Sequence, residues 1–308
     1  MVGMNVIRER YRLFDLRISS DIRLPELLPC PGDESGDVDI RRGPVPADGS
    51  AVGPKIGPFS HAAENALWLH VPGVARFLVR GGNELTYQPE EGVDEGTLRV
   101  FLLGTCIGAL LLQRGQLVLH GNAFEVGDGC VICVGPSGAG KSTLAARMLQ
   151  RGHRIIADDV CLIDAQGRAV PGMSRLKLWQ ETARGLEIET GGLRRLRPNM
   201  AKFDLPLGDA FRAEPAPIRA IYVLTPWNRD RFAIEDISGI AKFQALRANT
   251  YRFRFLKGME LGPLHLQQSM ALAAQTPLAQ VFRPRLGFDI DGLADTILSD
   301  LSRRGAAP

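Results

Sequence analysis

The chain is poor in the features that mark exported, membrane-spanning or nucleic-acid-binding proteins. It has five cysteines in 308 residues, and they form no disulfide framework. Its formal net charge is only +3, too small to argue for a nucleic acid or a membrane surface as partner. Residues 1–20 lack the apolar core of a secretory signal. The longest apolar segment, 100–112, is broken by Gly104, Thr105 and Gly108 and flanked by Arg99 and Arg114. It is short for a bilayer span and reads as a buried helix. These absences make the cytoplasm the expected compartment. No internal repeat or long low-complexity segment stands out, and neither an N-K-x-D nor an L-S-G-G-Q segment occurs.

Two cysteines, Cys130 and Cys133, make a C-x-x-C. On a strand, residues three apart face opposite sides, and no second pair completes a zinc site. They are read as small buried apolar side chains.

What is present is an ordinary globular composition, 45% hydrophobic and 23% charged, long enough for one large domain or two modest ones. Residues 1–92 read as a small β-rich N-terminal domain. Alternating runs occur at 11–18, 38–40, 67–71, 75–80 and 85–88, punctuated by Gly, Pro and Asp. A helix is expected from Asp94 to Arg114, stopped by Gly115. Residues 93–308 then read as an α/β nucleotide domain, with strands at 130–134, 153–157 and 220–224 and helices at 239–249, 267–274 and 293–301. The basic stretch 191–198 fits either a solvated loop or a site for an anionic ligand.

The most specific feature is Gly135-Pro136-Ser137-Gly138-Ala139-Gly140-Lys141-Ser142, which fits G-x-x-x-x-G-K-[ST] at each fixed position. The glycines let successive N–H groups converge on one concavity at a helix N-terminus, which suits phosphate oxygens. Lys141 can reach the outer phosphates, the Ser142 hydroxyl can ligate Mg²⁺, and Thr143 follows at the edge of the loop. The strand before it, and the helix-forming run after it up to Gly152, supply the required setting. The competing reading is a glycine-rich turn in an α/β domain.

Asp158-Asp159 follows the strand at 153–157. A helix from Lys141 to Arg151 carries the chain about 16 Å away at 1.5 Å per residue. Gly152 turns it, and seven extended residues return it by roughly 20 Å. The carboxylates therefore come back to the edge where the phosphates bind. One can hold Mg²⁺ and the other can accept a proton from an attacking hydroxyl. Turn capping by Asp is the competing reading.

His120 precedes a hairpin signal, Gly127-Asp128-Gly129. A hairpin folded there puts His120 opposite residue 135 or 136, beside the loop entrance. It could contact phosphate or the catalytic carboxylate there; a backbone-satisfied strand histidine is the alternative.

Together, His120-Gly121, the loop, Arg151-Gly152-His153 and Ala157-Asp158-Asp159 resemble the C-terminal catalytic domain of HPr kinase/phosphorylase. The position after the loop Ser is Thr143, where that family carries an acid. The resemblance implies a P-loop kinase domain of mixed α/β fold, with ATP and Mg²⁺ as cofactors. By it, Asp159 is the proton acceptor, His120 and Lys141 are catalytic, and Ser142 and Asp158 bind the metal.

A fuller resemblance is to HPr-kinase-related proteins of lasso-peptide and similar peptide-modification systems. It is carried by Ser20-Asp21-Ile22-Arg23-Leu24-Pro25-Glu26-Leu27, by 171–179 (Pro-Gly-Met-Ser-Arg-Leu-Lys-Leu-Trp) and by Lys202-Phe203-Asp204-Leu205-Pro206. It implies a kinase acting on a serine, such as a C-terminal one, of a precursor peptide. The partner is then a peptide or small protein with an acceptor serine, and no nucleic acid or membrane is involved. The oligomeric state stays open, a homo-oligomer included. Arg175, Lys177, Lys202 and Arg252 are candidate ligands for the peptide carboxylate or the phosphates; taken singly, each reads as a surface charge. The alternatives are an HPr-type serine kinase/phosphorylase, a P-loop carboxykinase and a nucleotide-binding regulator without kinase activity.

Overall fold

The computed structural model describes residues 8–32, 36–285, 287 and 289–305. They form two compact units. The first takes the described residues up to Gln116, with 196–198 and 252–265; the second takes 117–195, 199–251 and the described residues from Leu266 onward.

The first unit is built on nine strands: β1 (Glu9–Leu13), β2 (Leu16–Ser20), β3 (Leu28–Pro29), β4 (Val38–Arg42), β5 (Lys55–Gly57), β6 (Ser60–Ala63), β7 (Ala66–Val71), β8 (Ala75–Arg80) and β9 (Glu84–Pro89). They pair in the order β3-β1-β2-β4-β9-β8-β7-β6-β5. The run at 11–18, read from the sequence as one strand, is a hairpin. Leu13 pairs with Leu16, and Phe14 turns the chain at φ 57. The Phe14-Asp15 turn holds neither Gly nor Pro, so nothing in its composition marked the break. Alternation drives the pairing: Leu16, Ile18 and Ser20 of β2 all face inward.

Helix α1 (Glu95–Gln113) closes this unit. Asp94 caps it, accepting from the Thr97 amide at 2.8 Å and from the Thr97 hydroxyl at 2.6 Å. Gly115 at φ 68 ends it. A π-helical turn over Leu102–Cys106 interrupts it. Its polar first turn extends the helix beyond the apolar segment seen in the sequence, so by length and composition it could cross a membrane. In the fold, 78% of that stretch is buried in the protein, and Gln113 ties it to the sheet through Val79 O at 3.1 Å. Replacing the cap, Asp94→Ala, is expected to lower unfolding stability by about 0.5–2 kcal/mol, read from the urea midpoint at unchanged slope. No shift in midpoint would show that the cap is idle.

The second unit is mixed α/β. Strands β10 (Leu117–Leu119), β11 (Gly121–Val126) and β12 (Gly129–Val134) lead to helix α2 (Lys141–Gln150), then β13 (Ile155–Asp158), β14 (Cys161–Ile163) and β15 (Arg168–Val170). Next come β16 (Arg175–Trp179), α3 (Gln180–Gly185), β17 (Arg194–Arg195), β18 (Lys202–Pro206), β19 (Ala216–Trp227), β20 (Ala233–Ile237) and α4 (Ile240–Ala248). Helix α5 (Phe253–Gly258) belongs to the first unit, and α6 (Gly262–Gln275) runs from one unit into the other. Strand β21 (Leu278–Pro284) and helix α7 (Ile290–Gly305) complete the chain. The strand expected at 153–157 starts later, because His153 sits in the turn with its Nδ1 2.8 Å from Glu125 O.

The main sheet runs β10-β14-β15-β19-β12-β11-β13, with β21 added on β19 and β20 on β21. Strands β12, β19 and β21 are mutually parallel, while β11 runs antiparallel between β12 and β13. Each face has its own core. Val131, Cys133, Tyr222 and Val281 pack with Leu144 and Met148 of α2 and Ile297 of α7. Cys130, Ile132 and Ile221 pack on the other face with Leu246 and Leu272. Cys130 and Cys133 therefore lie on opposite faces, fully buried, and burial pushes the Cys130 thiol up to about 12. A joint redox or metal role is excluded by that placement.

A separate three-stranded sheet, β16-β18-β17, flanks α2. Leu176, Leu178 and Leu205 turn one face to the α2 core. The other carries the residues between them in sequence, Arg175, Lys177 and Trp179, opposite Pro206, Asp204 and Lys202.

Candidate active site

The chain leaves β12 at Val134 and forms the glycine-rich loop. Gly135 must be glycine, because a Cβ there would lie 2.6 Å from Leu224 O on the neighbouring strand. Gly138 and Gly140 adopt φ 80 and φ 95, the left-handed region that favours glycine. Pro136, Ser137 and Gly138 are exposed, while Ala139 is buried.

The loop is held from behind by Arg283 of β21, whose Nε and Nη2 donate to Ala139 O and Gly138 O, each at 2.8 Å. A trans peptide points its N–H opposite to its C=O, so the Gly140 N–H faces away from Arg283. Helix α2 begins next, with no side-chain cap at Gly140. Its first-turn N–H groups have no intrahelical partner. That donor set fits a phosphate chain.

Lys141 folds back over the loop, its Nζ donating to Gly135 O at 2.8 Å and Pro136 O at 3.1 Å. Burial lowers its pKa, and the charges of Asp159 and Asp158 restore only part of it. Ser142 is half-buried in the first turn. The Thr143 hydroxyl turns to Thr182 of α3, 3.2 Å away.

The register of β11 on β12 pairs Gly121 with Val134, which sets His120 beside the start of the loop. Strand β13 pairs with β11 so that Asp158 lies opposite Asn122. The Asp158 carboxylate is buried, bonded to the Asn122 amide and to the Lys177 backbone N–H at 2.7 Å. Burial raises its pKa, and the Asp159 charge adds to that.

Asp159 follows at φ 73, an unusual conformation for a residue other than glycine. Its Oδ2 accepts from Lys177 Nζ at 2.8 Å, and its Oδ1 lies 3.2 Å from His120 Nδ1. The same nitrogen is 3.1 Å from Asp159 O. Burial opposes the Asp159 charge, but the Lys177 ammonium and His120 outweigh it and hold the carboxyl well below the usual carboxylate range.

The two carboxylates therefore act in opposite senses on stability. The depressed Asp159 stabilises the fold above the unfolded-state value of about 3.9, and that contribution is lost as pH falls through its folded value. The raised Asp158 favours the fold below the unfolded value and weakens it as pH climbs toward its folded one. Asp159→Asn is thus expected to flatten the fall in melting temperature below about pH 4. Thermal melts between about pH 2.5 and 7 test this; wild type and variant falling in parallel would contradict it.

No cluster of three or more His, Cys, Asp or Glu that could hold a metal occurs among the described residues. A Mg²⁺ bound together with a nucleotide needs only one or two carboxylates, its shell being completed by phosphate oxygens and water. Asp158 and Ser142 are the residues that could hold it.

Of the four basic candidates, Lys177 meets Asp159. Arg175 is buried and donates to Asp204 at 2.7 Å, and Lys202 stacks over the Trp179 ring at 5.3 Å. Arg252 belongs to the first unit and donates to Thr105 Oγ1 at 2.7 Å. Arg175 and Lys177 are therefore not surface charges; the β16–β18 pairing that buries them had no local sequence signal. In the stretch 191–198, Arg194 pairs with Asp204 and so is not a freely solvated side chain. Asn122 and Arg283 escaped the sequence reading, because both act through long-range strand pairing.

Residues 114–188 match the family described as HPr Serine kinase C-terminal domain. The chain is similar to the HPr kinase/phosphorylase of Prosthecochloris aestuarii, 41% identical over 74 residues, which is 24% of this chain and 21% of that protein. It is also similar to the HPr kinase/phosphorylase of Caldanaerobacter subterraneus subsp. tengcongensis, 46% identical over 44 residues, 14% of each protein. The alignments thus span about a fifth or less of these relatives. Among solved structures, the Hpr(Ser) kinase/phosphatase from Coxiella burnetii aligns with a TM-score of 0.27 and 14% identity, covering 61% of this chain and 95% of that one. The matched segment contains His120, the loop, Asp158, Asp159 and Lys177.

Proposed function

From an HPr-kinase-like segment that carries the phosphate loop and the Asp158-Asp159 pair, we infer that this protein is a phosphotransferase. It moves the terminal phosphoryl group of ATP to a serine hydroxyl of a peptide or small protein. The observation that carries this reading is the Asp159 carboxylate, ionised, clamped between Lys177 and His120, and close enough to Lys141 for its charge to offset part of the burial that lowers the lysine's pKa. A phosphate loop alone would serve binding; a charged acid beside it serves transfer.

The N–H groups of Ser137, Gly138 and Gly140 and of the first-turn residues Lys141, Ser142 and Thr143 form the phosphate cradle, with Gly135 and Ala139 shaping the loop, the Ala139 N–H donating to Pro136 O at 3.1 Å. Pro136 has no N–H and shapes the loop entrance. Lys141 exchanges its loop carbonyls for phosphate oxygens. Ser142 and Asp158 would hold a Mg²⁺ bound with the nucleotide, whose chemistry would be to neutralise charge on the phosphates. Asp159 accepts the serine proton. A carboxylate this acidic is a weak base, so the proton moves late, once bonding to phosphorus has acidified the hydroxyl. His120 orients the carboxylate.

For the acceptor, the motifs at 20–27, 171–179 and 202–206 favour a serine of a ribosomally made precursor peptide, such as a lasso-peptide precursor, over HPr. In this reading the catalytic machinery lies within residues 93–308, in the second compact unit, and the first unit, which residues 1–92 begin, is a separate β-rich domain.

The test is incubation with γ-labelled ATP, Mg²⁺ and synthetic precursor peptides ending in serine, with mass spectrometry of the products. Phosphoserine on the peptide supports the reading. Binding or slow hydrolysis without transfer to any peptide or to HPr favours a nucleotide-binding regulator.

A further inference from the structure

Lys202 differs from the other cations around the site. Arg175 and Arg194 share Asp204, and Lys177 has Asp159. Lys202 has no carboxylate partner within ion-pair distance among the described residues; its Nζ stands over the Trp179 ring. It is nonetheless half-buried. Burial and the neighbouring Lys177 charge lower its pKa, against the pull of Asp158 and Asp159.

Its position follows from strand register. Lys177 pairs with Asp204 and Trp179 with Lys202, so Lys202 is the diagonal neighbour of Lys177 on the same face, about 7–8 Å away at the backbone. Both long side chains can therefore converge on one point. Lys202 in turn depresses Lys141 and acts on Asp158. Lys177 meets Asp159 at 2.8 Å and holds Asp158 through its backbone N–H, so its strand neighbour Lys202 stands in the same cluster of charges, which acts on Lys141 in a loop built for anions. Trp179 is half-exposed. It gives Lys202 a weak cation–π rest that a strong anion would outcompete.

We propose that Lys202 binds the terminal phosphoryl group of the nucleotide, leaving its rest on Trp179 when that group is present. This rests on the kinase reading above. The group carries its negative charge on three outer oxygens. Lys141 approaches from the loop, and Lys202 supplies a second cation from the β16–β18 sheet. Nucleotides lacking that group leave Lys202 where it is.

The test compares Mg·AMP-PNP with Mg·ADP by calorimetry on the full chain. Lys202→Met is expected to weaken AMP-PNP by about tenfold or more, the loss of one charge-assisted contact, while ADP changes by less than about twofold. Lys202→Arg should keep most of the AMP-PNP affinity. In the wild type, AMP-PNP but not ADP should change the indole emission, and Trp179→Phe should remove that change. Equal weakening of both nucleotides, or of neither, overturns the proposal, as does an emission change common to both. These last outcomes leave the kinase reading standing, with Lys202 assigned to structure or to the acceptor. A wild-type protein that binds neither nucleotide overturns both.

Discussion

Asp159→Asn should reduce phosphoryl transfer by about 10²–10⁴-fold, the usual contribution of a positioned general base, while the Kd for Mg·ATP moves by no more than about threefold. Asparagine is the right replacement because Asp159 sits at φ 73. Asparagine tolerates that left-handed conformation and alanine resists it, so a loss of rate in Asp159→Asn is not a loss of backbone geometry. The amide keeps an oxygen for Lys177 and the size of the side chain, but it cannot take a proton. The split between kcat and Kd, read from steady-state transfer to peptide and from calorimetry, separates this from a binding defect. His120→Gln, which replaces the ring nitrogen lying 3.2 Å from the Asp159 carboxylate and 3.1 Å from its backbone oxygen, should cost less than Asp159→Asn. A variant Asp159→Asn that transfers phosphate at the wild-type rate would remove Asp159 from the chemistry.

Lys141→Met should damage both steps. Its ammonium makes two hydrogen bonds to loop carbonyls, Gly135 O and Pro136 O, and in the kinase reading it exchanges these for phosphate oxygens. Losing a charge-assisted contact is worth about 1.5–3 kcal/mol, which corresponds to roughly 10–150-fold in the Kd for Mg·ATP. The rate falls further, because the same charge meets the phosphoryl group in transit. The fold should survive: the loop keeps its bonds to Arg283, and the α2 core of Leu144, Ala145 and Met148 is untouched. Unchanged nucleotide affinity in a folded Lys141→Met would show that the loop does not hold phosphates.

Much of the site was legible because its signals are local. The glycines at 135, 138 and 140 sit where the backbone needs a positive φ, and the run after them has the composition of a helix. The return of the chain to the same edge at Asp158-Asp159 follows from helix rise and strand rise alone. The hairpin turn at residues 127–128 sets the register that puts His120 beside the loop.

What stayed hidden depends on contacts between distant segments. Asn122 meets Asp158 only because β13 pairs with β11. Lys177 reaches Asp159 only because β16 runs past the end of β13, fastened by the Lys177 N–H to Asp158 bond. Arg283 lies more than a hundred residues from the loop it supports. In the first unit, the strands at 55–57 and 60–63 are too short and too polar for alternation to reveal them.

The physical reason is the same in each case. A phosphate loop or a cap is specified by residues a few positions apart, whose φ values and hydrogen bonds are set locally. An ion pair across two sheets is specified by register, and one residue of slip would turn Lys177 away from Asp159 altogether.

The central claim is that Asp159 serves the phosphoryl group held by the loop. A crystal structure with Mg·AMP-PNP tests it most directly. The account predicts a carboxylate oxygen of Asp159 within about 5–6 Å of the terminal phosphorus, the space of one attacking hydroxyl in hydrogen-bond contact with the base and in near-attack contact with phosphorus. A terminal phosphorus about 10 Å or more from that carboxylate would contradict it, for at that separation no hydroxyl can touch both.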